Sequence, residues 1–386
     1  MLPLSYAVRN LFRVPARLIQ LVLGAALVIF LLMMASALSN GMDGVLRSSG
    51  SEHNVIVLGS GSEESVERSE IKASVPALLA ASVPGIKTVL GKPAVSGEIH
   101  YNGPLKAGTD SGSESHQALI RGVTPAALLV HPEVRLLAGR FPHAGEVMVG
   151  KLTAHKLGLA ETDLAIGKTI SVAESPMRIV GIFHAPGTVM EAEVWADLSD
   201  MLAIGQRDTI SCAVVRLEDD ATLDDVEIFT LQRLDLELAA MLESEYYAKL
   251  SAFYRPLRAM TWVTTCLVAA GAIFGGLNTL YAAFASRVRE MATLQAMGYR
   301  RRALLLSLLQ EGMLATLMGA LVAATLSLWL ADGYAVTFSI GTFALEITPQ
   351  VLGLGVAGGI ALAIIGTLPP AWTCLKPLLP AALRAS

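Results

Sequence analysis

Four uninterrupted apolar runs, residues 18–38, 260–284, 303–331 and 351–372, constrain this chain more than any other feature. Each reaches or exceeds the roughly 20 residues that an α-helix, rising about 1.5 Å per residue, needs to cross about 30 Å of hydrocarbon. Glu311 is the one charged residue in all four. The whole composition, 53% hydrophobic and 16% charged over 386 residues, is too apolar for an ordinary soluble protein. The expected fold class is an α-helical membrane protein with four transmembrane helices, one followed by three.

Charge predicts the orientation. Arg9, Arg13 and Arg17 precede the first run, five arginines lie between the second and third, and Lys376 and Arg384 follow the fourth. Residues 332–350, between the third and fourth, contain no Lys or Arg. Basic flanks mark the cytoplasmic side, so both termini are expected there. Residues 39–259 are then extracytoplasmic. That segment holds 19 basic and 29 acidic residues, a net charge of −10, which gives no reason to propose nucleic acid as a partner. A signal peptide cleaved after Ala35-Ser36-Ala37 is the alternative reading of the first run. The run is longer than the roughly 7–15 residues of a signal core, which favours a retained anchor. Arg9, Arg13 and Arg17 also recur every four residues, as on one face of an amphipathic entry helix over 1–17.

Within 39–259, short β-branched runs alternate irregularly with helical stretches, predicting a large α+β domain. Strands are expected at 53–58, 94–101, 117–123, 146–149, 169–173, 177–183, 189–195 and 212–217, with helices at 75–82 and 151–157. Residues 59–69 and 108–115 read as loops. Residues 39–47 extend the first helix outward, and 222–254 carry Leu231, Leu234, Leu238 and Leu242 at helical spacing, so a long helix is expected there. These two stretches would form a stalk. Residues 332–350 are expected to be a short loop and 373–386 a cytoplasmic tail.

Residues 286–302, SRVREMATLQAMGYRRR, form a basic segment between two apolar runs. Its interior is apolar enough for a short helix that must lie against something. Glu311 is a functional candidate because an acid within a span is costly to bury alone; the alternative is that it reaches the interface or pairs with Arg300–Arg302. Gly271, Gly275 and Gly276 in the second run, and Gly355, Gly358 and Gly359 in the fourth, offer small faces. Such faces let helices approach closely, either within this chain or against a second copy.

Nothing in the residues argues for catalysis or a resident cofactor. Residues 162–169, TDLAIGKT, approach a phosphate-binding loop but have Thr162 where its first glycine belongs, so Gly167-Lys168 reads better as a turn before a strand. The seven histidines show neither HExxH nor a pairing with cysteine at ligand spacing, so no metal site is expected. Cys212, Cys266 and Cys374 form no disulfide framework.

Residues 278–312 resemble the signature of MacB/FtsX/LolC-type permeases of ABC transporters, the mechanotransmission (type VII) family. Asn278, Arg287, Arg289, Glu290, Leu294, Ala296, Gly298 and Glu311 match it one by one, whereas Tyr299 stands where a small residue is commoner. The motifs IRGVTP (120–125), LAGR (137–140), GEVMVG (145–150), KLGL (156–159) and RIVGIF (178–183) follow the order of MacB-like periplasmic core domains.

The resemblance implies a dimeric permease, with an identical or sister copy, driven by cytoplasmic ABC ATPase subunits. Only about seventeen residues precede the first span, so the ATPase, with its ATP and Mg, is expected on a separate chain and this chain is expected not to be an enzyme. Arg287, Arg289, Glu290, Met291, Leu294, Met297 and Gly298 would form the coupling helix, with Met291, Leu294 and Met297 filling a groove on the ATPase. The implied function is export or extraction of an amphipathic, peptide or lipoprotein-like substrate from the inner membrane. The alternative is an FtsX-like signalling permease that regulates a cell-wall hydrolase. Further partners implied are membrane lipids and either a membrane-fusion protein with an outer-membrane channel or a lipoprotein chaperone.

Overall fold

The computed structural model describes residues 4–108, 114–338 and 341–376. Most of the loop expected at 108–115, and Arg384 of the tail, lie outside the described residues. The chain forms two compact units: residues 1–40, 256–334 and 345–386 make one, and residues 41–255 with 335–344 make the other.

The first unit is built from helices. Leu4–Phe12 is the entry helix, and the chain breaks at Arg13 and Val14 before Pro15 opens the next helix, where its missing amide costs nothing. Pro15–Ser49, Arg255–Ala285, Arg301–Leu330 and Pro349–Leu375 are each long and apolar enough to cross a membrane, with 35, 31, 30 and 27 residues. Small residues set how closely three of them pack. A Cβ at Gly355 would meet Met33, and one at Gly359 would meet Ile29, so those glycines let the last helix lie against the first. Gly319 makes room for Ala25 in the same way. Ser327 Oγ donates to Met33 Sδ at 3.6 Å within this packing.

The second unit is an α+β domain around a ten-stranded sheet. Its order is Leu238–Leu242, Asn54–Gly59, Cys212–Arg216, Val95–Ala107, Ser115–Val123, Val194–Asp197, Glu146–Gly150, Ser175–His184 and Arg135–Gly139, and Thr169–Val172 pairs with two of these. Successive side chains alternate faces, as the strand repeat of two requires. Val55, Val57, Ile99, Ile120, Ala213 and Val215 enter one core, which helices Val75–Ser82 and Leu223–Gln232 cover through Leu79, Val226 and Phe229. Ile56, Leu58, Cys212 and Val214 line the opposite face, against Val130 and Tyr246.

Three expectations are corrected here. The long helix at 222–254 is instead helix Leu223–Gln232, edge strand Leu238–Leu242 and helix Glu243–Phe253. Backbone pairing of Leu238–Leu242 with Asn54–Gly59 outweighs the helical leucine spacing, and Glu237, left-handed at φ 50°, makes the turn into the strand. At 189–195 a 3₁₀ turn, Val189–Ala192, precedes the short strand Val194–Asp197. Residues 332–350 are more than a loop. Ala335–Phe338 and Gly341–Ala344 pair as a hairpin that belongs to the second unit, with Thr342 and Phe343 buried and the Phe343 ring occupying the space beside Gly41.

Candidate functional site

The basic segment between the second and third long helices folds as the short helix Val288–Ala296. Gly298, at φ 97°, ends it, and the Tyr299 amide returns a 3.1 Å hydrogen bond to Leu294 O, a glycine stop that frees the chain to start Arg301–Leu330. Met291 and Ala292 are buried, and Leu294 packs beside Met291 against Phe284, Leu304, Leu308, Ala371 and Leu375. Burying Met291 is worth about 1.5–3 kcal/mol. Cys374 supports the same corner by donating to the Phe284 carbonyl at 3.2 Å.

This geometry corrects part of the expected partner surface. Met291, buried, and Leu294, partly buried, pack against this chain's own helices, because a short helix held between two long apolar ones covers its apolar side against them. Met297, 64% exposed, remains open, and so do Arg289, Thr293, Tyr299 and Arg300–Arg302. The outward face is therefore basic with two larger side chains, Met297 and Tyr299.

Glu311 joins the segment to the bundle. Its carboxylate is 3% exposed and accepts from Arg17 at 2.7 Å and from Arg287 at 2.9 Å. It therefore pairs with Arg17 and Arg287 rather than with Arg300–Arg302, which stand exposed. Burial works against the Arg287 charge, but the neighbouring Glu311 carboxylate prevails and raises Arg287 above its ordinary value. Arg13 reaches Glu290 at 3.0 Å, an exposed pair that contributes little by itself. Arg287, Glu290 and Glu311 stand out in the sequence, but nothing local signals Arg13 and Arg17 as the partners of Glu290 and Glu311, 277 and 294 positions away.

The two glycine groups separate in the structure. Gly355 and Gly359 are used against the first long helix, whereas nothing among the described residues stands within 4 Å of a Cβ at Gly271, Gly275 or Gly276. A cavity of about 230 Å³ lies among the helices on this side, lined by Gly275 and Gly276 with Gly24, Gly312 and Thr367.

The second unit contains a buried polar network that no sequence motif announced. Arg121 donates to both Glu193 oxygens at 2.7 Å and to Glu98 at 2.7 Å. His131 is 3.0 Å from the other Glu98 oxygen, and Trp195 Nε1 donates to Glu193 at 3.0 Å. Burial opposes the His131 charge, yet Glu98 and Glu133 carry its pKa up to about 10. Glu243 accepts from Asn54 at 2.8 Å and from the Ser51 amide at 3.1 Å, while burial raises its pKa. In the near-phosphate-loop segment the 3₁₀ helix Glu161–Leu164 is followed by a turn at Gly167, φ 93°, two residues before strand Thr169–Val172.

Comparison with known proteins bears on both units. The family described as MacB-like periplasmic core domain matches residues 19–228, and the FtsX-like permease C-terminal family matches residues 262–377. No curated protein matches the chain. Among solved structures, the periplasmic region of MacB from Actinobacillus actinomycetemcomitans aligns at 16% identity, covering 53% of this chain and 95% of that one, with a TM-score of 0.40. The extracellular domain of the noncanonic ABC-type transporter YknZ from Gram-positive bacteria aligns at 12% identity, covering 49% and 99%, with a TM-score of 0.37. With one family match spanning more than half of the sequence and the second spanning the three later long helices, the chain belongs to the MacB/FtsX-type permeases of ABC transporters.

Proposed function

We propose that this permease passes the motion of a separate cytoplasmic ABC ATPase to its outer α+β unit, driving export or extraction of an amphipathic, peptide or lipoprotein-like substrate. Family membership implies an ABC ATPase partner in general. The observation that carries the finer reading is the loop helix Val288–Ala296. Its buried side and the Arg17–Glu311–Arg287 cluster tie it to the long helices, while Arg289, Met297, Tyr299 and Arg300–Arg302 stay exposed. A helix held on one side and open on the other can receive a push and transmit it. ATP and Mg would be held by the partner, and the permease would work as a dimer in the inner membrane.

The expected orientation places the loop helix inside and the α+β unit outside. Leu90, 97% exposed at a hairpin tip, and Thr293, exposed on the loop helix, are the test positions. In a chain lacking native cysteines, Leu90→Cys should react with an impermeant thiol reagent on intact cells and Thr293→Cys only after permeabilisation. The reverse pattern removes the orientation and the coupling reading with it.

Coupling is tested on the exposed face. Met297→Asp combined with Tyr299→Asp should leave folding unchanged and reduce ATPase copurification at least tenfold. Met291→Asp should instead destabilise the permease itself, since it puts a charge into a packed corner. If the double variant keeps its ATPase and full substrate-stimulated ATP hydrolysis, the docking surface lies elsewhere.

A further inference from the structure

On the sheet face opposite the large apolar core, Cys212 stands directly across from Glu98 in the antiparallel register, and His100 lies two residues further along the same face. The sequence separates Cys212 from His100 by more than a hundred residues, and only the pairing of Cys212–Arg216 with Val95–Ala107 brings them together. One donor atom from each of Glu98, His100 and Cys212 lies within 4.8 Å of the other two. In a tetrahedral zinc site, with bonds of about 2.0–2.3 Å, ligand atoms stand roughly 3.3–3.8 Å apart. Closing this triad around an ion takes side-chain shifts on the order of 1 Å by that comparison.

We propose that Glu98, His100 and Cys212 form a binding site for a thiophilic divalent cation, with Zn²⁺ the best match. A thiolate, an imidazole and a carboxylate are the donors that zinc accepts, and three protein ligands leave a fourth position for water. The surroundings permit the exchange of partners that binding requires. Glu98 Oε2 accepts from Arg121 Nη1, but Arg121 keeps both of its other hydrogen bonds, at 2.7 Å each, on Glu193. The guanidinium is therefore not stranded when Oε2 turns to the cation. His131 holds Oε1 at 3.0 Å and orients the carboxylate from behind, as outer partners of metal ligands do. Glu193 adds negative charge to the same interior, opposite the Arg121 guanidinium. His100, 12% exposed at its side chain, offers the way in, while Glu98 and Cys212 are sealed. On binding, the Cys212 thiol passes its proton to solvent. The bound ion would link strands Val95–Ala107 and Cys212–Arg216 side chain to side chain.

The test uses the full chain in detergent, stripped with a chelator, with Cys266→Ser and Cys374→Ser so that Cys212 is the sole thiol. Co²⁺ should bind one per chain and produce a thiolate-to-cobalt charge-transfer band that added Zn²⁺ abolishes. Cys212→Ser should remove the band, and His100→Ala should weaken Zn²⁺ binding at least tenfold in competition with a chelating dye. Absence of the band in the parent chain, or its persistence in Cys212→Ser, overturns the proposal. If Cys212→Ser does not fold, His100→Ala decides, and an unchanged cobalt spectrum and zinc affinity there overturn it equally. Neither readout involves ATP or transport, so the result stands apart from the coupling reading.

Discussion

Glu311 is buried between two arginines from distant parts of the chain, and its removal takes the carboxylate from Arg17 and leaves Arg287 with only the longer 3.6 Å contact to Glu290. Breaking such a pair on one side costs on the order of 3–5 kcal/mol, far more than an exposed ion pair. Glu311→Gln should therefore lower the thermal unfolding midpoint of the detergent-purified permease clearly, whereas Arg13→Ala, which breaks the exposed pair with Glu290, should shift it little. Equal midpoints for the two variants would show that the Glu311 cluster does not hold the loop helix in place. The residue types were legible: an acid in an apolar run must find partners, and the basic loop offered several. Which arginines would serve was not legible, because pairing depends on how the first and third long helices lie side by side.

At the scale of elements, glycine placement separates helix faces that composition alone makes equivalent. Gly355→Leu drives a side chain into Met33 and should reduce the yield of folded permease severely, by the same overpacking that costs cores about 1–3 kcal/mol or more. Gly271→Leu meets open space and should leave the single chain folded. It should weaken self-association instead if that face carries the second copy, read by crosslinking or by mass in detergent. A folded, fully dimeric Gly271→Leu chain would remove Gly271 from the interface. The helical periods of the four long elements were readable from their length and apolarity. Residues 222–254 were not, because a strand made of Leu238–Leu242 draws its stability from pairing with Asn54–Gly59 rather than from its own pattern.

Across the whole molecule, one short segment crosses the division that the sequence suggests. The hairpin of Ala335–Phe338 and Gly341–Ala344 is reached from the third long helix, yet it packs within the α+β unit, where Phe343 is 3% exposed. Phe343→Ala should therefore destabilise that unit by about 3–5 kcal/mol, the usual cost of removing a buried phenyl ring. Faster hydrogen exchange in Val189–Ala192 and Val45–Ser49 is the expected signature; exchange unchanged there would mean that the hairpin adds nothing to the unit.

Length, apolarity and charge by themselves determined four helices, among the described residues, that are long enough to cross a membrane, a large α+β segment after the first, and a basic helical link before the third. Those features follow from local properties: hydrocarbon thickness, strand and helix periods, and the cost of charge in apolar runs. The tertiary structure alone decided which side of the link is free, that Arg17 and Arg287 share Glu311, that the hairpin joins the α+β unit, and that Glu98, His100 and Cys212 come together. Each of these depends on register and packing between residues far apart in sequence, and no local pattern carries that information.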